Sequence, residues 1–144
     1  MNYKYIFKIA NKKEREEIYK IRHEVYAVEL KQYQTNNELK LIDELDSFNT
    51  YIVAKKDNKV IGFVSITPPG RKYSMDKYLT RDKSPFTYDS DLYEVRILTI
   101  IKEYRNLKIT LALIYATAKW IENKAGKNLM ILGRVGINNM YKKV

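Results

Sequence analysis

The sequence predicts an α/β protein with a mixed, mostly antiparallel sheet flanked by helices. Three observations lead to this prediction. Residues 93–125 have the pattern of a strand, a tight turn and a helix, residues 49–67 that of two strands joined by a turn, and residues 2–30 that of a strand followed by a helix. With a last strand and helix, they predict the order β-α-(α)-β-β-β-α-β-α and a single domain over residues 1–144.

The N-terminal part begins with a strand and a helix. Residues 2–10 alternate loosely between apolar and basic side chains, as a half-buried strand does. Asn11 and Glu14 have the spacing of a capping box, and behind them apolar residues recur on one helical face. These residues are Ile18, Ile21, Val25 and Val28. We therefore expect a helix over residues 12–30, followed by a polar, irregular segment over residues 31–47 with room for one helical turn.

The middle of the chain has the pattern of a hairpin. Residues 49–55 and 59–67 are rich in Val, Ile and Tyr, and Lys56-Asp57-Asn58 between them has the composition of a turn. Gly62, inside the second strand, indicates a bulge or a close approach by another backbone. Residues 71–90 are polar and broken by a proline, so we expect a functional excursion or a lid rather than an ordinary connection.

The central unit, residues 93–125, contains a strand and the longest amphipathic helix. The strand, residues 93–100, is rich in Val, Ile, Leu and Thr. The helix has one apolar face, formed by Leu107, Leu111, Ile114, Ala118 and Ile121. Gly126 follows it where a helix C-terminus favours a residue that tolerates positive φ. Residues 128–132 predict another short strand, and residues 136–144 the start of a last helix.

Composition narrows the chemistry. The chain has 144 residues with 45% apolar content, enough to bury a core, and no apolar run long enough for a membrane span or a secretory signal. It has no cysteine, which excludes disulfides, zinc–thiolate sites and a cysteine nucleophile. His23 is its one histidine, so a metal site built on several histidines is excluded within one chain. We expect a cytoplasmic protein without a metal cofactor.

The charge balance points to anionic partners. The net charge is +10, from 27 basic and 17 acidic residues. Such an excess favours nucleic acid, a phosphorylated cofactor or an acidic carrier protein as a partner. The alternative is that the net charge only reflects a generally lysine-rich surface. The basic residues are spread along the chain without an arginine-rich run, a zinc-finger pattern or an aromatic–basic strand. Nucleic acid is therefore a minor hypothesis and is not the expected partner.

Two opposite charges, Glu94 and Arg96, lie two residues apart in the fourth predicted strand. Strand alternation predicts that they share one face with their apolar neighbours. The residues of that predicted face are Leu92, Glu94, Arg96, Leu98 and Ile100. Charges inside a strand fit for burial are costly unless they are paired or used. They form either a structural ion pair at a sheet edge or a site in which a carboxylate accepts a proton from an amine, directly or through water.

A basic turn precedes the long helix. Arg105 and Lys108 flank the point where the chain passes from strand to helix, where free backbone N–H groups and the positive end of the helix dipole can hold an anion. This geometry suits a phosphate. The alternative is an ordinary strand–turn–helix unit without a ligand.

Residues 105–110, Arg-Asn-Leu-Lys-Ile-Thr, resemble the Arg/Gln-x-x-Gly-x-Gly/Ala turn of the GCN5-related N-acyltransferases (GNAT), with Lys108 in place of a glycine. In that family the turn holds the pyrophosphate of coenzyme A or the phosphopantetheine of an acyl carrier protein. The resemblance implies acyl-CoA or acyl-phosphopantetheine as the acyl donor. The implied donor-binding residues are Leu98, Thr99, Ile100, Arg105, Asn106, Leu107, Lys108, Ile109 and Thr110. It also implies that Glu94 is the general base and that Tyr141 protonates the departing thiolate.

The N-terminal half resembles one branch of this family, the acyl-homoserine-lactone synthases and related long-chain N-acyl amino acid synthases. The resemblance is carried by Arg22-x-x-Val25-Tyr26, Tyr33, Asp43-x-x-Asp46, and a Glu and Arg together on strand four. It implies a small-molecule amine as the acceptor, with Arg22, Tyr26, Asp43, Asp46 and Arg96 as substrate-binding residues. Where those synthases tend to have an arginine, this chain has Ser65, so a homoserine-lactone product does not follow. The alternative is a solvated charge at Arg22 and helix caps at Asp43 and Asp46.

The family normally completes its sheet with two strands after the Tyr-bearing helix, and this sequence stops at Val144. We expect the C-terminal strands to be missing. Either the chain is truncated, a longer protein continues with a fused domain, or a partner such as a second copy completes the sheet.

Three functions therefore stay open. The first is an N-acyltransferase that moves an acyl group from a thioester to an amine. The second is a catalytically silent GNAT-like module that binds acyl thioesters or interacts within a larger protein. The third is nonspecific nucleic-acid binding through net charge. Among acyl donors we expect a carrier protein or a long acyl chain rather than acetyl-CoA. The reasons are the synthase-like N-terminal half, the basic surface and Lys108.

Overall fold

The structure is a computed structural model that describes residues 4–132. One sheet of five strands has the order β1-β2-β3-β4-β5, antiparallel throughout except for β5, which runs parallel to β4. The strands are β1 Tyr5–Ile9, β2 Thr50–Lys56, β3 Lys59–Thr67, β4 Leu92–Ile100 and β5 Asn128–Ile131. The predicted fold class, a mixed and mostly antiparallel sheet flanked by helices, is confirmed. The predicted helix over residues 136–144, and Tyr141 within it, lie outside the described residues.

Two longer helices accompany the sheet. They are α1, Lys12–Arg22, which continues as a π-helix over His23–Glu29, and α2, Leu107–Asn123. The remaining helical turns are single turns of 3₁₀ helix at Glu44–Ser47, Ser74–Lys77, Arg81–Lys83 and Lys102–Tyr104. Within residues 4–132, no helix has the length and apolarity needed to cross a membrane.

The predicted helix over residues 12–30 is confirmed, since the chain is helical over Lys12–Glu29, but its second half is a π-helix. Both bonds of the predicted capping box between Asn11 and Glu14 are present, so the start of α1 is confirmed. From His23 onward the backbone adopts the wider π turn, and Leu30 N–H bonds to the carbonyl of Val25, five residues back. Apolar periodicity cannot separate the two hydrogen-bond registers. The π-helical segment contacts β4 through Tyr26 and the turn before α2 through Glu29.

The sheet separates two apolar clusters. One face packs on α2, with Ile109, Leu113 and Ile121 against inward residues of β2, β3 and β4. The other face packs on α1, where Ile18 and Tyr19 meet the second cluster. The sheet residues of that second cluster are Tyr51, Val53, Val60 and Phe63. A sheet covered on both faces explains why β3 is buried along nearly its whole length.

The predicted hairpin between β2 and β3 is confirmed. Asp57 and Asn58 have φ of 51° and 63°, the left-handed pair that a two-residue type I′ turn requires. Gly62 combines both predicted features, since the strand register shifts beside it and a Cβ there would lie 3.0 Å from the carbonyl oxygen of Thr99. The close approach of β3 to β4 therefore excludes a larger residue at Gly62 unless the strands move apart.

The reason proposed for Gly126 is wrong. The residue with positive φ at the end of α2 is Ala125, with φ of 62°. Gly126 follows it, and its N–H bonds to the carbonyl of Ile121 at 2.9 Å. A Cβ on Gly126 would lie 2.7 Å from the ring of Tyr93, so the position requires a small residue because β4 packs against it. Local helix-capping rules cannot reveal a requirement that comes from a distant strand.

A bulge in β4 overturns the prediction that its alternate residues share one face. Arg96 pairs with Ser65 and Thr99 with Phe63, so β4 has one residue more than β3 between these pairs. Ile97 absorbs the difference with φ of 47°, an uncommon conformation for a β-branched residue. Beyond the bulge, Leu98 and Ile100 pack towards α2. Glu94 and Arg96, before it, point to the opposite face.

Candidate active site

Arg105, in the turn between β4 and α2, is held by hydrogen bonds on both sides of its guanidinium. The Nε of Arg105 donates to the carbonyl of Ile100 at 2.7 Å, which fixes the guanidinium against the end of β4. Its two terminal nitrogens donate to the two carboxylate oxygens of Glu29, at 2.6 and 2.8 Å. Arg105 holds the pKa of Glu29 below its ordinary value. The residue that the family resemblance assigns to phosphate thus already holds an anionic group.

The N-terminus of α2 carries positive charge. Asn106 caps the helix by accepting a bond from the N–H of Ile109 at 3.0 Å, while the N–H groups of Leu107 and Lys108 lie outside the intrahelical ladder. The first turn contains no acidic residue. Helix N-termini favour negative charge, so an exposed lysine here is unfavourable unless an anion binds nearby.

An apolar cleft lies between the sheet and the middle of α2. The pairing of β5 with β4 runs to Val95 and Ile131, and the N–H of Leu132 reaches the carbonyl of Val95 at 3.1 Å. Beyond Val95 the described part of β5 no longer pairs with β4. The cleft is lined by Val64, Val95, Arg96, Leu98, Ile114, Thr117, Leu129, Ile131 and Leu132. It lies on the α2 side of the sheet, next to the bulge at Ile97.

The π-helix touches β4 on the other side of the bulge. The hydroxyl of Tyr26 lies 2.8 Å from that of Thr99, and the hydroxyl of Thr99 donates to the carbonyl of Ile97 at 2.9 Å. Glu29 and Tyr26 therefore connect the same short helix to the donor turn and to the bulge. Tyr33, which the resemblance also singled out, is exposed.

Four of the five predicted acceptor residues, all except Tyr26, form one network of ion pairs. Arg96 holds Asp43 through two bonds of 2.8 and 2.9 Å, and Arg22 bridges Asp43 and Asp46 at 3.1 and 2.7 Å. The hydroxyl of Tyr51 donates to Asp46. Burial alone would raise the pKa of Asp43, but the bonds and charge of Arg96, followed by Arg22, outweigh it and lower the pKa to about 2.

Asp43 and Asp46 also cap a helix, as the structural alternative predicted. Asp43 is the N-cap of the turn Glu44–Ser47 and accepts a bond from the N–H of Leu45 at 3.0 Å, while Asp46 accepts from the N–H of Asp43 at 2.7 Å. Capping and ion pairing occur together at both carboxylates. The network is largely closed, because Arg22, Asp46 and Arg96 are buried and Asp43 is only partly exposed.

Glu94 is fully buried and both its oxygens are occupied. They accept the backbone N–H groups of Ser74 and Met75 at 2.7 and 2.9 Å, so the carboxylate holds the turn Ser74–Lys77 of the excursion against the sheet. Burial raises the pKa of Glu94, and these two bonds only partly offset the effect. A carboxylate with a raised pKa is a better proton acceptor for an amine than an ordinary one.

The excursion itself is ordered by aromatic stacking. Arg81 lies 4.9 Å from the ring centre of Tyr73 and 4.6 Å from that of Tyr88, and its side chain pairs with Asp76 at 3.0 Å. The hydroxyl of Tyr73 donates to the carbonyl of Leu92 at 2.6 Å, and burial raises its pKa to about 12. These contacts bring the excursion over the first residues of β4.

Two polar atoms next to Glu94 have no partner among the described residues. They are Nε of Arg96 and the hydroxyl of Thr67, whose residue pairs with Glu94 across the strands. Ser65, which replaces an arginine of the related synthases, is buried and accepts a bond from Asn49 at 2.7 Å. This face of β3 and β4 is therefore polar although it is buried.

The structure thus brings four predicted acceptor residues into one network, places the fifth, Tyr26, at the bulge, and brings the donor-turn residues to the opposite side of the bulge. Sequence reasoning missed Glu29, Ile97, Tyr51 and the turn that holds Glu94. Glu29 had one weak signal, an acid close to the end of a predicted helix. Nothing local marks Ile97, since β-branched residues are poor indicators of a left-handed bulge.

Comparisons with known proteins show similar folds. The chain matches the LasI acyl-homoserine-lactone (AHL) synthase with a TM-score of 0.80 and 19% identity, over 99% of this chain and 78% of that one. It matches the CoA-dependent acyl-homoserine lactone synthase BjaI, solved with SAM and isopentyl-CoA, with a TM-score of 0.79 and 13% identity, over 97% and 72%. It matches the aminoglycoside N-acetyltransferase AAC(6')-Iy, solved in complex with CoA, with a TM-score of 0.66 and 13% identity, over 99% of this chain and 86% of that one.

A search of curated proteins by sequence finds no match. The sequence profile described as "Acetyltransferase (GNAT) family" matches residues 13–143, nearly the whole chain. The predicted resemblance to that family is confirmed, and the likeness to the lactone synthases is confirmed in the fold. This chain belongs to the Acetyltransferase (GNAT) family.

Proposed function

We propose that this chain is an N-acyltransferase that moves an acyl group from an acyl-CoA or an acyl carrier protein to the amine of a small molecule. One observation carries the proposal: a cationic, acid-free helix N-terminus directly follows a bulged strand that borders an apolar cleft. A donor needs these three surfaces for its phosphate, its thioester carbonyl and its acyl chain. We further propose one catalytic domain that works in the cytoplasm without a metal.

The donor is held by the turn and the cleft. Arg105, Lys108 and the first N–H groups of α2 bind phosphate, while residues 98–100, 106, 107, 109 and 110 shape the turn around it. The acyl chain enters the apolar cleft beside Leu98. The irregular backbone at Ile97 interrupts the ladder with β3, and we propose that a backbone N–H group there polarises the thioester carbonyl.

The acceptor approaches Glu94 from the polar face of the sheet. The amine nitrogen attacks the thioester carbonyl carbon, the C–N bond forms, and the C–S bond breaks as the tetrahedral intermediate collapses. Glu94 takes the amine proton directly or through a water, and Tyr141 protonates the leaving thiolate. The direct route requires the turn Ser74–Lys77 to move, because Glu94 is fully buried and bonded to that turn.

The predicted acceptor residues other than Glu94 act by positioning β4 and the bulge. Arg22, Asp43, Asp46 and Arg96 neutralise one another, so we propose that the network holds β4 in place and presents Nε of Arg96 to the acceptor. Tyr26 orients Thr99 at the bulge. The terminal nitrogens of Arg96 are bound to Asp43, which argues against a simple grip on an acceptor carboxylate.

Isothermal titration tests the proposal with acetyl-CoA, longer acyl-CoA and an acyl carrier protein. We expect binding of at least one donor, and a large loss in Lys108→Glu, which reverses a charge at the phosphate site. Lys119→Glu is the matched control, since it reverses an exposed charge on the same helix away from the turn. Absence of binding to every donor ends the proposal, and so does an equal loss in the two variants.

A silent binding module is the second candidate. Lys108 in the glycine position and the occupied oxygens of Glu94 favour it. Turnover by the purified chain that is lost in Glu94→Gln while the variant still binds the donor would exclude it. Donor binding without turnover of any amine would favour it.

A further inference from the structure

We infer that Glu29 competes with the donor phosphate for Arg105 and thereby sets the affinity of the donor turn. The inference rests on the proposed function, because it takes residues 105–110 as the donor site. It assigns a role to a carboxylate of the π-helix, an element outside that turn.

The geometry of Arg105 is that of a prepared anion receptor. Its Nε is anchored on the carbonyl of Ile100 at 2.7 Å, a bond that does not involve Glu29. The two terminal nitrogens then form a fork, and each donates to a different oxygen of Glu29. A phosphate offers two oxygens to the same fork in the same bidentate way.

The two anions cannot occupy one fork together. Once Glu29 is bound, both terminal nitrogens of Arg105 are engaged at 2.6 and 2.8 Å. The alternative partners of a phosphate at this turn are Lys108 and the first N–H groups of α2, which Glu29 does not occupy. A donor that uses Arg105 must therefore displace the carboxylate.

The pair is weak enough to be displaced. The side chains are 41% and 30% exposed, and pairs at such positions contribute little because water and salt screen them. A donor phosphate gains Lys108 and the helix N-terminus in addition to Arg105. A phosphate therefore replaces Glu29 on Arg105. The free energy gained on donor binding is smaller by the free energy of the Arg105–Glu29 ion pair that has to be broken.

A purely structural role for Glu29 predicts the opposite effect. In that case the pair would hold the π-helix on the donor turn, and its loss would loosen the site and weaken donor binding. The helix has a separate contact with β4, since Tyr26 lies 2.8 Å from Thr99, hydroxyl to hydroxyl. The end of the π-helix therefore stays near the bulge when Glu29 is released, and the fork of Arg105 stays in place.

Titration of CoA into wild type, Glu29→Gln and Glu24→Gln tests the inference. We expect Glu29→Gln to bind CoA roughly two- to fivefold more tightly, the factor that corresponds to an exposed ion pair. Glu24→Gln changes the net charge equally and lies exposed on the same π-helix, so it should bind like wild type. Glu29→Asp, whose shorter side chain reaches the fork poorly, should fall between wild type and Glu29→Gln.

A kinetic readout separates competition from structural support. With an active donor and amine, Glu29→Gln should lower the donor KM with kcat and the acceptor KM unchanged. Weaker CoA binding in Glu29→Gln than in wild type, or equal gains in Glu29→Gln and Glu24→Gln, would overturn the inference while leaving the proposed function intact. If none of the proteins binds CoA or a carrier-bound acyl group, the proposed function fails, and the inference fails with it.

Discussion

At the scale of single residues, Glu94 joins two properties that sequence reasoning treats as alternatives. Its carboxylate is fully buried and fastens a loop, as a structural residue does, and its pKa is raised, as that of a proton acceptor is. Both follow from the same burial. A loss of activity in a Glu94 variant therefore needs a stability measurement beside it.

Glu94→Gln is expected to lower the free energy of unfolding by about 1–3 kcal/mol, because the amide group turns one donor towards the N–H of Ser74 or Met75. Urea denaturation measures the change, and turnover is measured on the folded fraction. Glu103→Gln, an exposed carboxylate, is the control and should leave stability unchanged. Equal stability of the Glu94 variant and wild type would show that the two backbone bonds contribute little.

Asp43→Asn tests the ion-pair network through its pH dependence. The folded pKa of Asp43 is lowered from 3.8 to about 2, so its stabilisation is complete above the unfolded value and is lost as the pH falls through the folded one. We expect a deficit of about 1.5–3 kcal/mol near neutral pH, the usual range for hydrogen bonds to charged groups. The deficit should shrink between about pH 4 and pH 2, where wild type also becomes protonated.

Chemical denaturation at several pH values measures this deficit. Asp57→Asn on the exposed hairpin turn is the control, because asparagine also tolerates the positive φ at that position. A deficit for Asp43→Asn that stays constant down to the acid range would contradict the assignment of its stability to the two arginines.

At the scale of elements, helix α2 has to satisfy two demands at its N-terminus. Asn106 supplies the cap that any helix needs, and the absence of an acid in the first turn leaves the positive end of the dipole free. A stability-optimised helix would place Asp or Glu there. The departure from that rule supports the proposed anion site at this end of α2.

Asn106→Asp should separate these demands. An aspartate keeps the cap and favours the helix dipole, so stability should be equal or slightly higher, while its charge should weaken CoA binding several-fold. Thermal melting and titration on the same samples measure both quantities. Asn11→Asp makes the same change at the cap of α1 and should leave CoA binding unchanged. If Asn106→Asp binds CoA as well as wild type does, the phosphate does not bind at this end of α2.

At the scale of the whole molecule, the net charge of +10 bears on the choice of donor. Acyl carrier proteins are acidic, and a basic surface steers them to their partners. Coenzyme A is anionic too, so charge alone does not separate the donors. Lys108 can separate them, because a side chain there crowds a diphosphate but still serves the single phosphate of a phosphopantetheine arm.

We expect Lys108→Gly to lower kcat/KM for a carrier-bound acyl chain and to leave CoA thioesters equal or better. Steady-state kinetics with matched acyl chains on both donors measures the ratio. Lys124→Gly, at the far end of α2, controls for the loss of charge and should not change the ratio. Preference of wild type for acetyl-CoA over every carrier-bound chain would contradict the proposed donor.

The sequence alone determined the elements, the order of the strands along the chain and the family resemblance. These follow from local patterns: the Val- and Ile-rich run of β3, the capping box of Asn11 and the spacing of residues 105–110. Each pattern is complete within a short window, so no distant residue is needed to recognise it. Tyr141 lies outside the described residues, and its role stays a prediction.

Only the tertiary structure decided how the site is arranged. The partner of Arg105 is Glu29, 76 residues away, and that of Arg96 is Asp43, 53 residues away. The bulge at Ile97 moved Leu98 and Ile100 to the face opposite Glu94, against the predicted alternation. Ion pairs and bulges of this kind depend on which elements meet in space, and such meetings are set by the packing of the sheet between α1 and α2 rather than by any local pattern.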